Sequence, residues 1–156
     1  MIPHYLLLAA LAITLCACNA KSAPETAAEP APTAQATQAS YPSIPAEKIA
    51  YLGENATYLD GIFYHLPISM NQDNLDQIRA TLSTIAAEPA TIPAGAKPIA
   101  HLWFQVNGKN VEEADLYFQD DIAAYVWYEN GKPAYSNLMT VAGIDFYNSI
   151  INSVPK

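Results

Sequence analysis

Residues 99–139 read IAHLWFQVNGKNVEEADLYFQDDIAAYVWYENGKPAYSNLM, and this stretch decides the fold. Asn107-Gly108 and Asn130-Gly131 are the residue pairs that tolerate the left-handed backbone of a two-residue hairpin turn. Gln119-Asp120-Asp121 supplies a further polar turn between them. The runs between the turns are rich in aromatic and β-branched residues, which predicts strands at 99–106, 111–118, 122–128 and 134–139. Connections this short allow only an antiparallel meander. Pro133, at the start of the fourth run, suits an edge strand, where a missing N–H is tolerated.

Downstream, Ile144, Tyr147 and Ile151 form one apolar stripe, widened by Phe146 and Ile150, and predict a helix over 143–153 with a weak start at Gly143. Upstream, Ser69 and Gln72 match a capping box, and Leu75, Ile78, Leu82 and Ile85 follow at helical spacing. Glu88-Pro89 ends that helix, and Pro93, Gly95 and Pro98 mark a loop. Residues 57–66 read as a strand. A short helix begins near Ser43, with Pro45 at its first position and Gly53 just beyond its end. The expectation is an α+β domain over residues 43–156, an antiparallel four- to five-stranded meander with amphipathic helices packed on one face. About 110 residues can bury a modest core without disulfides.

The chain before the domain is of another kind. Residues 20–40 hold no aromatic residue and no Ile, Leu, Val or Met, so residues 18–42 read as a disordered Ala/Pro/Thr tether. Tyr5 to Leu15 is apolar throughout but shorter than the roughly 20 residues of a membrane-crossing helix. It has the length of a signal-peptide core, giving residues 1–17 as a signal peptide. Leu15-Cys16-Ala17-Cys18 resembles the lipobox of bacterial lipoproteins. The resemblance covers four residues and does not extend to the domain. It implies cleavage between Ala17 and Cys18, diacylglycerol on the Cys18 sulfur, and a fatty acyl group such as palmitate on its amino group. Two or three acyl chains hold a protein stably on a bilayer. In that family an Asp after the modified Cys retains the protein in the inner membrane. Asn19 stands there instead, which implies the outer membrane, with the domain facing the periplasm or the cell surface.

The whole chain has 156 residues, 7 Lys+Arg against 15 Asp+Glu and a net charge of −8, which argues against non-specific nucleic-acid binding. Loss of Cys16 with the signal would leave no free thiol and no disulfide. His65 and His101 fall on different predicted strands, away from other residues at metal-ligand spacing. Ser69, Ser83, Ser136 and Ser149 lack a Gly-x-Ser-x-Gly context, and there is no Gly-rich phosphate loop. Glu112-Glu113 on a strand would point to opposite faces, and Asp120-Asp121 lacks the alternating ligands of a calcium loop. No catalytic residue, metal or cofactor is expected, and the chain does not read as an enzyme.

Aromatic residues are the chemical surplus. Of ten Tyr, four Phe and two Trp, all but Tyr5 and Tyr41 lie beyond residue 46. If Leu102, Phe104, Ala124 and Val126 face the core, the other face gathers Trp103, Tyr125 and Trp127, with Tyr135 and His101 beside them. The same alternation admits the reverse, with Tyr125 and Trp127 in the core. The functional expectation is a lipid-anchored envelope protein, a non-catalytic binding or structural module. Its partners would be the bilayer, through Cys18, and an envelope protein or cell-wall polymer. The alternatives are an inhibitor of a lysozyme or protease and a small envelope enzyme.

Overall fold

A computed structural model describes residues 38–119 and 121–154. The elements are β1 (Ala39–Ser40), α1 (Ala46–Asn55), β2 (Tyr58–Phe63), β3 (Ser69–Gln72), α2 (Leu75–Leu82), β4 (Thr91–Ile92), β5 (Ala100–Val106), β6 (Lys109–Gln119), β7 (Ile122–Glu129), β8 (Lys132–Leu138) and α3 (Val141–Asn152). Six strands form one antiparallel sheet in the order β3-β2-β5-β6-β7-β8, and β1 pairs with β4 in a separate two-stranded sheet. The architecture is α+β, with β5 to β8 as the expected meander and one strand more than the expected four to five. The hairpin turns form for the reason given by their sequence: Asn107, Gly108, Asn130 and Gly131 all have φ between 50° and 75°.

Three local expectations fail. Ser69 and Gln72 do not cap a helix; they belong to β3, with Ile62 opposite Ser69 and Leu59 opposite Gln72. The cap of α2 is Asn74, whose Oδ1 accepts from the N–H groups of Asp76 at 2.8 Å and Gln77 at 3.4 Å. The helix stops at Leu82, and Ile85 instead bridges to Met139. Gly53 lies inside α1, which runs to Asn55. The ordered fold also starts ahead of residue 43. Ala39 pairs with Ile92, and Tyr41 packs against a core cluster, so part of the stretch read as tether belongs to the domain. The signal peptide, Cys18 and the tether up to residue 37 lie outside the described residues.

Both faces of the sheet bury apolar groups, but different ones. On one face Leu59, Leu102, Phe104, Ala114, Leu116, Tyr125 and Trp127 pack with Leu52 of α1, Ile78 and Leu82 of α2 and Tyr147 of α3. On the other, Ile122, Ala124 and Val126 pack with Ile92 and Ala90, joined by Ala39 and Tyr41. The small residues of β7 thus sit where the β1/β4 pair closes over them. Its large residues fill the helix side, where Gly61, Ala100 and Ala114 leave room. At Gly61 an added Cβ would come within 2.8 Å of Leu102. This inverts the expected assignment: Tyr125 and Trp127 are core residues, both 0% exposed.

Candidate functional site on the open half of the sheet

The half of the far face formed by β2, β5 and the first part of β6 carries neither the helices nor the β1/β4 cluster, which β6 meets at Tyr117. A bulge sets what stands there. Phe104 pairs with Glu112 but Gln105 with Asn110, so Val111 is an extra residue in β6. The shift places Asp115 opposite His101 and Glu113 opposite Trp103. Across β2, Asp60 is also opposite Trp103. One row therefore reads Asp60, Trp103, Glu113, an indole flanked by two carboxylates, and the next reads Ile62, His101, Asp115. The residues these strands turn to this face include no Lys or Arg.

Asp115 is buried, at 6% exposure, and is the hub of a polar cluster. Its Oδ1 lies 2.7 Å from His101 Nδ1, and its Oδ2 accepts from the Tyr128 hydroxyl at 2.7 Å. The Tyr64 hydroxyl donates to Oδ1 more weakly, at 3.5 Å. His101 Nε2 stands 3.6 Å from Glu113 Oε2, and its ring centroid is 4.4 Å from that of Trp103 and 5.7 Å from that of Tyr128. Burial opposes the imidazolium, but the Asp115 hydrogen bond and the charges of Asp115 and Glu113 outweigh it, so the His101 pKa is raised. Burial and the Asp115 carboxylate hold the Tyr128 phenol protonated well above its ordinary range. An imidazole oriented by Asp is the geometry of a general base. Here its other nitrogen faces the Glu113 carboxylate, so each ring nitrogen of His101 has a carboxylate beside it, and the ring pairs with both when it is protonated.

The residues expected to share a face are separated. Trp103 and His101 stand on the open half. Tyr125 and Trp127 lie on the opposite side of the sheet, where the Tyr125 hydroxyl meets those of Thr84 and Tyr147 and burial raises its pKa to about 12. Tyr135, opposite Trp127 in register, is on that side too. It donates to Glu129 at 3.2 Å, and Lys48 Nζ lies 5.6 Å from its ring centroid. Lys48 bridges to Glu112 at 2.8 Å and Glu129 at 3.5 Å, fastening α1 to the hairpin ends. Glu112 and Glu113 do point to opposite faces, one to Lys48 and the other to His101. Asp60, Glu113, Asp115, Tyr64 and Tyr128 were not legible as a group. A bulge-free count from Asn107-Gly108 puts Ala114 opposite His101, and nothing in the sequence marks Val111 as extra.

No family model, no curated protein and no solved structure matches the chain. Among the described residues no helix is long and apolar enough to cross a membrane, and no group of three or more His, Cys, Asp and Glu side chains is arranged to hold a metal ion.

Proposed function

We propose that this chain is a lipid-anchored envelope protein, held by acylated Cys18, whose domain binds a partner bearing cationic groups through the open half of the sheet. The observation that carries the binding reading is the Asp60-Trp103-Glu113 row. A lysine, arginine or other amine lying on the indole face gains the cation–π attraction and meets a carboxylate on either side. The surroundings are preset, because the cluster around Asp115 fixes the ring beside Trp103 before any partner arrives. The placing of Asp115 and Glu113 at the two ring nitrogens of His101 supports binding over catalysis. An envelope protein or cell-wall polymer with exposed amino groups fits this chemistry.

The test has two arms. Intact mass of detergent-extracted protein should give a chain beginning at acylated Cys18; an unmodified or differently cut N-terminus overturns the anchor. Crosslinked envelope partners should be lost from Trp103→Ala and from Asp60→Asn/Glu113→Gln, and weaken with added salt. Partners retained by all of these variants overturn the binding face. The acidic row also supports a second reading, inhibition of a basic enzyme such as lysozyme, since opposite charge speeds such an encounter. Lysis of cell walls by lysozyme, unchanged by a molar excess of this protein, rejects it.

A further inference from the structure

The two edges of the six-stranded sheet are treated differently. At the β8 edge the backbone is already partnered. Ser136 N–H donates to Pro42 C=O at 2.8 Å, Leu138 N–H to Glu88 C=O at 2.9 Å, and Ala86 N–H to Leu138 C=O at 2.9 Å. At the other edge β3 pairs with β2 on one side, and among the described residues its other side makes no backbone hydrogen bond. Unpartnered strand edges invite another strand. Beside this edge runs a groove of about 610 Å³ between β3, α2 and α3. It lies within the roughly 300–1,000 Å³ of ligand-binding clefts. All four residues of β3 line it, Ser69 and Asn71 included, although their side chains belong to the opposite face, so the groove reaches the strand edge itself.

The floor is apolar, with Phe63, Met70, Phe146 and Ile150, and the rim is hydroxyl and amide. None of its lining residues is charged. In a chain of net charge −8 that neutrality selects against charged occupants and sets the groove apart from the acidic open half. We infer that the groove and the β3 edge together bind an uncharged extended peptide, which adds to the sheet as a seventh strand. The free backbone groups of β3 supply the main-chain hydrogen bonds, and alternate apolar side chains of the peptide enter the groove. β3 has four residues, which sets the paired length. This site is separate from the face at Trp103 and stands or falls without it.

The probe is the capped peptide acetyl-Thr-Val-Thr-Val-Thr-amide, titrated into the full chain labelled with nitrogen-15. Saturable shifts are expected at the amides of Ser69–Gln72, Ala142 and Phe146, with hydrogen exchange slowed at β3. Ala142→Glu puts a carboxylate into the lining from an exposed position in the first turn of α3, where a helix tolerates negative charge. It should weaken the peptide about tenfold and leave the other resonances in place. Three results overturn the proposal. One is the absence of saturable shifts at β3. Another is the same shifts arising from protein concentration alone, which identify a second copy as the occupant. The third is shifts produced by octyl glucoside and not by the peptide, which identify an alkyl chain.

Discussion

His101 is gripped by Asp115 at one ring nitrogen and faces Glu113 at the other, so its titration reports the integrity of the open half. Its pKa in the fold lies above the ordinary value of about 6.5. The stability it contributes is therefore fully present below about pH 6.5 and is lost as the pH rises through the folded pKa. A urea series should find His101→Gln more costly relative to the native chain at about pH 5 than at about pH 9. An equal cost at both ends contradicts the charged pairing. The two tryptophans, alike in sequence context, separate in the same assay. Trp127 is wholly buried, so Trp127→Ala should cost about 3–5 kcal/mol. Its Nε1–H has no partner among the described residues, so Trp127→Phe removes apolar volume without breaking a hydrogen bond and should cost markedly less. Trp103→Ala on the open half should cost about 1 kcal/mol or less. Comparable losses at both positions would mean that Trp103 is structural.

Among the elements, β8 depends on side chains to finish an edge that a bare strand would leave open. The Asn137 Oδ1 accepts from Ile44 N–H at 3.1 Å and its Nδ2 donates to Ala86 C=O at 2.9 Å, while Ser136 Oγ donates to Ala90 C=O at 2.7 Å. Asn137→Ala strands a buried N–H and a carbonyl together, and denaturation should report a loss of about 1–3 kcal/mol. A smaller loss would mean that water replaces the amide. None of this was readable beforehand, because a buried Asn looks like any polar strand residue. What was readable had local causes. The Asn-Gly turns and the period of α3 depend on residues adjacent in the chain. The side of Tyr125 and Trp127 was within reach as well. A tight turn between Gln119 and Ile122 pairs Leu116 with Tyr125 and Ala114 with Trp127, on the face that Ala114 shares with Leu102. Matching aliphatic with aliphatic across strands overrode that register, although a core fills by volume, large against small. Gly143 follows the same logic. It weakens the helix by propensity, yet a Cβ there would meet Met139 at 2.5 Å and Thr84 at 2.7 Å, so close packing of α3 on the α2 exit requires it.

Over the whole molecule, the outer layer of the domain rests on a segment that looks dispensable in sequence. The outer cluster of Ile122, Ala124 and Val126 is closed by β4 and by the stretch Ala39 to Pro42. Those residues also supply backbone acceptors to the β8 edge, Pro42 C=O to Ser136 N–H and Tyr41 C=O to Ser136 Oγ. A chain beginning at Gln38 keeps these contacts, and one beginning at Ser43 loses them while retaining every helix and all six strands of the main sheet. The shorter chain should fold with the same backbone spectrum but be less stable by about 1–3 kcal/mol, the order expected for uncovering one large apolar contact. It should also bind a hydrophobic dye more strongly, since Val126, now 3% exposed, would meet water. Denaturant midpoints of the two chains decide the matter. Equal midpoints would mean that β1 rests on the surface without supporting it. A lower midpoint for the shorter chain would set the start of the folded domain at or before Ala39, within the stretch whose composition reads as tether.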